Sequence, residues 1–198
     1  MSSSKPSSHS PRDRILKTAS ELFYADGVRA VGVDTIIARA GVAKASFYKH
    51  FPSKDDLVLE FLKRSDALLR HWLAQAVERL SPAPAGRPLA VFDALAQRFV
   101  SKDFRGCAFN NSVVELADRS HAAHVAAEEH KREVTAYISG LLKDAGIAEP
   151  KDLASEFMLL IDGAIVTAVR EGSPAAAQSA KRIAALLLQQ ATEQKTRI

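Results

Sequence analysis

An all-α fold of about nine helices is what this 198-residue chain predicts, as a three-helix N-terminal unit followed by a longer helical bundle. Three observations carry that expectation. Ala and Leu recur throughout, while the β-branched alternation of half-buried strands is scarce. Apolar residues repeat at helical spacing in one segment after another. Breakers stand between those segments, among them Asp26-Gly27, Pro52, Gly146 to Pro150 and Gly172-Ser173-Pro174. With 47% hydrophobic and 25% charged residues, the composition is that of an ordinary globular chain, long enough to bury a substantial core.

The elements follow in order. Residues 1–9, MSSSKPSSH, have no apolar run and are expected to be a disordered tail. Ser10-Pro11-Arg12-Asp13 opens the first helix with an N-cap serine, a proline at the first helical position and an acid in the first turn. Ile15, Leu16, Ala19, Leu22 and Phe23 form its apolar face, and Asp26-Gly27 stops it. A second helix is expected from about Val33 to Ala40, with Ile36, Ile37 and Ala40 inward. Gly41 then supplies the positive φ that a sharp reversal requires. The third helix runs from about Lys44 to His50 and ends at Phe51-Pro52, because a residue before proline avoids the α region. Residues 10–53 are thus a helix-turn-helix unit.

Ser53-Lys54-Asp55-Asp56 has the pattern of a capping box, with aspartate in the place of glutamate. It opens a long connecting helix over residues 54–80, with apolar content from Leu57 to Val77. SPAPAGRP (81–88) is a proline-rich loop. Residues 81–198 form the second bundle, with helices expected at 89–102, 108–118, 121–144, 151–171 and 174–194.

Charge and cysteine usage narrow the function classes. The single cysteine, Cys107, rules out an intramolecular disulfide and suits a cytoplasmic location. The longest apolar run, Phe157 to Val169, is broken by Asp162 and too short for a bilayer, so no membrane partner is expected. The net charge of +4 is unevenly placed: residues 1–54 hold nine Lys/Arg and four Asp/Glu, so the whole excess lies in the first quarter. That asymmetry suggests a polyanion partner for this quarter, or simply a solvated basic surface.

The stretch GVAKASFYKHFPSKDDL (41–57) favours the first. A seven-residue helix is marginal alone; Val42, Phe47 and Phe51 must clamp it to the core of the first two helices. Its other face then carries donors. A helix entering a major groove reads base edges through its N-terminal part. Lys44 and Lys49 suit guanine or phosphate, Ser46 donates and accepts, and Ala45 leaves room for close approach or a thymine methyl. Tyr48, His50 and Thr35 suit phosphate oxygens, and Lys54 stands at a helix N-terminus where phosphate is also attracted.

Those residues also carry a resemblance. VDTIIARAGVAKASFYKHFPSKDDLV, with RDRILKTASELFYADG upstream, closely resembles the TetR family of transcriptional regulators over about residues 10–65. The landmarks are Ile36, Ala40-Gly41-Val42, Phe47-Tyr48, His50-Phe51, Ser53-Lys54 and Leu57. The resemblance implies a DNA-binding head on a ligand-binding body, usually in a homodimer, with Lys44, Ala45, Tyr48, Lys49 and His50 at DNA and Lys54 at a phosphate. Two departures stand out. Gly32 lies where members often carry a capping Ser or Thr, and Ala43 cannot cap the third helix through its side chain.

In the body, Ala177, Ala180, Ile183, Ala184, Leu187, Leu188 and Ala191 fall on one stripe of the last helix, and Gly163, Ala164 and Ala168 put small residues on the helix before it. The expectation is a twofold dimer through these two helices, with an intramolecular core as the alternative. A small-molecule effector pocket is expected from Phe92, Phe99, Phe109 and Val114, among neighbours such as Leu95 and Phe104, with Asn110 and His124 orienting the ligand; a plain core with polar residues at its rim is the alternative. RGCAFNNS also resembles a segment of some TetR-type regulatory domains. No nucleophile elbow, P-loop or dinucleotide fingerprint is present, no cofactor is implied, and the chain does not read as an enzyme. His121, His124 and Glu128, near one helix face, leave a helical metalloenzyme as a rival reading, although their spacing is not that of a zinc protease. The expected function is a repressor that binds a palindromic duplex and is released by a small molecule; a constitutive DNA-binding protein is the alternative.

Overall fold

The computed structural model describes residues 10–196, so the expectation for residues 1–9 lies outside the described residues. Among these residues there are nine α-helices and no strand: α1 Pro11–Asp26, α2 Val33–Ala40, α3 Lys44–His50, α4 Lys54–Leu80, α5 Arg87–Phe99, α6 Ala108–Glu115, α7 Ala122–Asp144, α8 Pro150–Glu171 and α9 Ala175–Thr196. A single 3-10 turn, Pro84–Gly86, sits in the proline-rich loop.

The N-terminal signals act as their chemistry dictates. Ser10 Oγ accepts from the Asp13 N–H at 3.1 Å and caps α1. Gly41 adopts φ 63°, and the following Val42 N–H reaches back to the Ile37 carbonyl at 3.3 Å, which closes α2. Ser53 and Asp56 exchange side-chain-to-backbone hydrogen bonds, each 3.1 Å, in a complete capping box on α4. Neither Gly32 nor Ala43 supplies a side-chain cap. In the body, α5 stops at Phe99 instead of 102, because Ser101 turns both its N–H and its hydroxyl onto the Arg98 carbonyl. Helix α6 ends at Glu115 instead of 118, with Leu116 leaving the helical region at ψ 55°.

Two apolar clusters organise the chain. The first gathers Ile15, Leu22, Phe23, Ile36, Phe47 and Phe51 of the head with Leu57, Phe61 and Leu62 from the start of α4. It also takes in Cys107, Phe109, Ala123 and Ala127 from α6, α7 and the residue before α6, so head and body share one core. The second unites α4, α5, α7, α8 and α9 around Phe92, Ile138, Leu142 and Phe157. Here the stripe expected to face a partner is corrected. Ala177, Ala180 and Ala184 are buried in the subunit's own core, as are Ala164 and Ala168, and Leu187, Leu188 and Ala191 pack against it. The exposed large apolar residues of these helices are Leu159, Val166 and Val169 on α8, with Gly163 exposed between the first two, and Leu186 on α9 beside Ile183, a stripe residue that stays 48% exposed. Helix α9 is apolar on more than one face, and periodicity alone does not say which one packs inward.

Candidate functional site

Helix α3 is held by its phenylalanines. Phe47 is fully buried, Phe51 nearly so, and their ring centroids are 6.2 Å apart. The Arg12 guanidinium lies 5.4 Å from the Phe51 ring and covers it from α1. Tyr48 packs edge-on against Phe47 at 5.2 Å yet remains 45% exposed. Lys44, Ala45 and Lys49 are exposed; Ser46 and His50 are half-buried at the margins of the same face. Lys44 Nζ lies 3.4 Å from Asp34 Oδ1, a loose pair between two well-exposed side chains that water screens heavily. Thr35 is exposed in the first turn of α2. Lys54 stands at the first turn of α4, half-buried; burial pushes its ammonium down from the usual lysine range, and the charges of Asp55 and Glu115 pull it back up. The eight residues expected at a nucleic acid therefore all keep solvent access, on and around α3 with its two exposed lysines.

The body contains a cavity of about 770 Å³. Its walls come from α4, α5, α7 and α8, from the Lys102–Cys107 segment and the start of α6, and also from α1 of the head. On α4 the lining residues Phe61, Arg64, Ser65, Leu68, Leu69 and Trp72 make one helical stripe. Leu68, 60% exposed, is explained by that position. On α1, Lys17, Ser20, Glu21 and Tyr24 repeat at i, i+3, i+4 and i+7, on a face separate from the buried one.

Of the six residues expected at a ligand, Phe99 and Phe109 line this cavity and the other four do not. Phe92 is fully buried against Phe157, with centroids 5.6 Å apart. The Asn110 amide donates to Asp162 at 3.2 Å. Val114 is 80% exposed. His124 Nε2 meets the Leu116 carbonyl at 3.1 Å and fastens the loop after α6. Tyr24, Arg98, Trp72 and Lys131 were missing from the expected site. The spacing of polar residues around Tyr24 on α1 was the available signal.

The cavity floor contains a polar network. His130 stacks on Phe109, with centroids 3.8 Å apart and planes 4° from parallel. Its Nδ1 lies 2.7 Å from Asp66 Oδ1, so this nitrogen carries the proton and donates. Burial pushes the imidazole below its ordinary range; the Asp66 hydrogen bond opposes this without reversing it. Burial pushes the Asp66 carboxyl up, but hydrogen bonds from Arg70 and His130 outweigh that and hold it below the usual carboxylate range. Lys131 bonds closely to Asp162, and its Nζ is 3.9 Å from the Cys107 sulfur.

Helix α6 is tied to the head beyond both ends. Before its N-terminus, the Tyr24 hydroxyl donates to the Gly106 carbonyl at 3.0 Å and accepts from the Arg105 N–H at 3.0 Å and the Arg98 guanidinium at 3.3 Å. At its C-terminus, Glu115 Oε2 accepts from the Arg29 N–H at 2.7 Å. Gly27 permits this close approach. It holds φ 94°, and a Cβ there would lie 2.8 Å from the Glu115 carboxylate.

Both histidines of the metal reading are engaged elsewhere, His124 by the Leu116 carbonyl. His121 Nδ1 accepts from the Ala123 N–H at 3.1 Å as the cap of α7, and its Nε2 faces Asp55 at 3.4 Å. Among the described residues no group of three His, Cys, Asp or Glu is placed to hold a metal ion. Among them, too, no helix is long and apolar enough to cross a membrane.

Comparison with known proteins agrees with this geometry. Residues 15–61 match bacterial regulatory proteins of the tetR family, and residues 84–186 match the C-terminal domain of LmrA/YxaF-like transcriptional regulators. The crystal structure of SCO4454, a TetR-family transcriptional regulator from Streptomyces coelicolor, superimposes with a TM-score of 0.84 at 32% identity, over 91% of this chain and 89% of that one. The HTH-type transcriptional regulator LmrA of Bacillus subtilis is 25% identical over 158 residues, 78% of this chain and 84% of that protein. The HTH-type transcriptional repressor NemR of Escherichia coli is 26% identical over 141 residues, 71% of each. The chain belongs to the TetR family: it is a DNA-binding transcriptional regulator with a helix-turn-helix head and a helical regulatory body.

Proposed function

We propose that this protein is a homodimeric repressor that holds a palindromic operator through two copies of α3 and releases it when a small molecule fills the cavity. The observation that carries this reading is the shared wall: α1 of the head lines the same cavity as α4 to α8 of the body. A ligand there touches the reading head directly, through Tyr24 and its neighbours. Helix α6, fastened to the head beyond both ends, gives a second route. A ligand changes operator affinity only by favouring one head placement over the other. The same volume argues against a constitutive binder with a filled body. NemR, a relative that is named a repressor, supports the sign.

On DNA, Lys44, Ala45, Ser46 and Lys49 are assigned to base edges and adjacent phosphates. Tyr48, His50, Thr35 and Lys54 are assigned to phosphates, which fix register without reading sequence. Two heads need half-sites about 34–36 Å apart, or a multiple of it. A twofold pair through the exposed sides of α8 and α9, with Leu159, Val166, Ile183 and Leu186, gives the two heads the symmetry of a palindrome and covers apolar surface otherwise left to water.

The test uses a duplex selected by the protein and a panel of small organic molecules. Trp72, the only tryptophan, lines the cavity and reports occupancy by its fluorescence. Molecules that change Trp72 emission are expected to release the duplex. In Tyr24→Phe the same molecules still change the emission but release the duplex about fivefold or more less effectively, the low end of ordinary allosteric coupling. If every molecule that moves Trp72 leaves duplex affinity untouched, the reading is wrong.

A further inference from the structure

We propose that the cavity takes an amphipathic organic anion, with a hydrophobic body along the apolar walls and one acidic group at a cationic mouth. The proposal rests on the reading of this cavity as the effector site. Its walls are mostly aliphatic and aromatic, with Trp72 and Phe99 among them. The charged lining residues comprise six cations and two carboxylates. Arg98 is engaged by Asp103 at 2.9 Å and Lys131 by Asp162. The other four, Lys17, Arg64, Lys102 and Arg105, have no carboxylate within salt-bridge distance among the described residues. All four are exposed and belong to α1, α4 and the segment between α5 and α6, so three parts of the chain bring cations to the exposed rim of the lining, where Glu21 of α1 offsets only part of their charge.

This distribution selects a ligand class. A cation would be repelled by the unneutralised mouth. A neutral apolar molecule would fill the walls and leave the four cations without a counter-charge. A small, strongly polar anion would find the mouth but leave the apolar walls in contact with water. A hydrophobic monoanion satisfies both, and its acidic group stays at the mouth, where water and cations solvate it, and avoids the cost of burying a charge. Because Lys17 belongs to the head, the acidic group bridges head and body.

Decanoate and decanol test this as a pair of equal chain length, titrated against the whole protein with Trp72 emission as readout. Decanoate is expected to bind about tenfold or more tighter than decanol at low salt, and the gap closes as salt screens the exposed charges. The double variant Arg64→Glu/Arg105→Glu loses about tenfold in decanoate affinity and less than about threefold for decanol; Arg64→Gln/Arg105→Gln repeats the measurement without introducing new acids. Equal binding of the two probes to the wild-type protein overturns the anion assignment and leaves the effector site standing. If neither probe moves Trp72, the amphipathic-anion assignment is wrong, while the effector-site reading is decided separately by the wider panel of small molecules. If both double variants keep their decanoate affinity, the proposal is wrong, and an accompanying loss of duplex affinity assigns Arg64 and Arg105 to DNA.

Discussion

Lys44, Tyr48 and Lys49 leave the head on a helix whose inward side is Phe47, and this division of labour sets what each substitution does. Lys44→Ala or Lys49→Ala is expected to relax preference at particular base pairs, at about 1–3 kcal/mol where the lysine meets a base edge. Lys54→Ala is expected to weaken all duplexes alike and to lower the salt slope by about one phosphate contact. Affinities for matched and scrambled duplexes at several salt concentrations separate the two behaviours. His130 offers a different residue-scale test. The unfolded imidazole titrates near 6.5, whereas the native one lies lower because it is buried against Phe109. As pH falls through that range, the unfolded chain takes up a proton that the native state refuses, so native stability declines. His130→Gln removes this titration. Its stability deficit against the unsubstituted protein therefore narrows between about pH 7.5 and about pH 5.5, read from denaturant midpoints. A widening deficit would mean a protonated native His130 paired with Asp66.

Helix ends were the most legible elements, because a cap is local chemistry. Ser10 with Pro11, Gly41, and Ser53 with Asp56 each declare a boundary within four residues of sequence, and each forms as its chemistry requires. The missing caps are equally local, and they can be supplied. Ala43 already holds φ −72° and ψ 147°, the extended conformation of an N-cap. Ala43→Ser is expected to stabilise the protein by about 1 kcal/mol, whereas Gly32→Ser adds only about a few tenths, since glycine is a tolerable cap; thermal midpoints of the two variants check the order. The cavity was far less legible. Phe99 and Phe109 line it, but Val114 of α6 faces solvent, and no local pattern says which face of an eight-residue helix meets a void. The stripe on α9 is ambiguous for a related reason: an apolar face looks the same whether its partner is the same chain or a second copy, and its alanines pack inward while Ile183 stays exposed.

At the scale of the whole molecule, Phe109, Ala123 and Ala127 join the body to the core of the head, so the two pack as one unit and not as a tethered module. The dimer carries the next prediction. Leu186, 67% exposed on α9, is placed in the proposed contact. Leu186→Arg is expected to yield folded monomer by light scattering, with unchanged helical content and strongly reduced affinity for a two-half-site duplex. A variant that stays dimeric would move the contact elsewhere. The central claim, that two copies of α3 read DNA as a symmetric pair, is tested most directly by selecting bound duplexes from a random pool. The expected winner is a palindrome with half-site centres one helical turn or a multiple apart, about 34–36 Å for a single turn, and its enrichment is lost in Lys44→Ala/Lys49→Ala. Enrichment of an asymmetric sequence, or the same winner with both lysines removed, would contradict it.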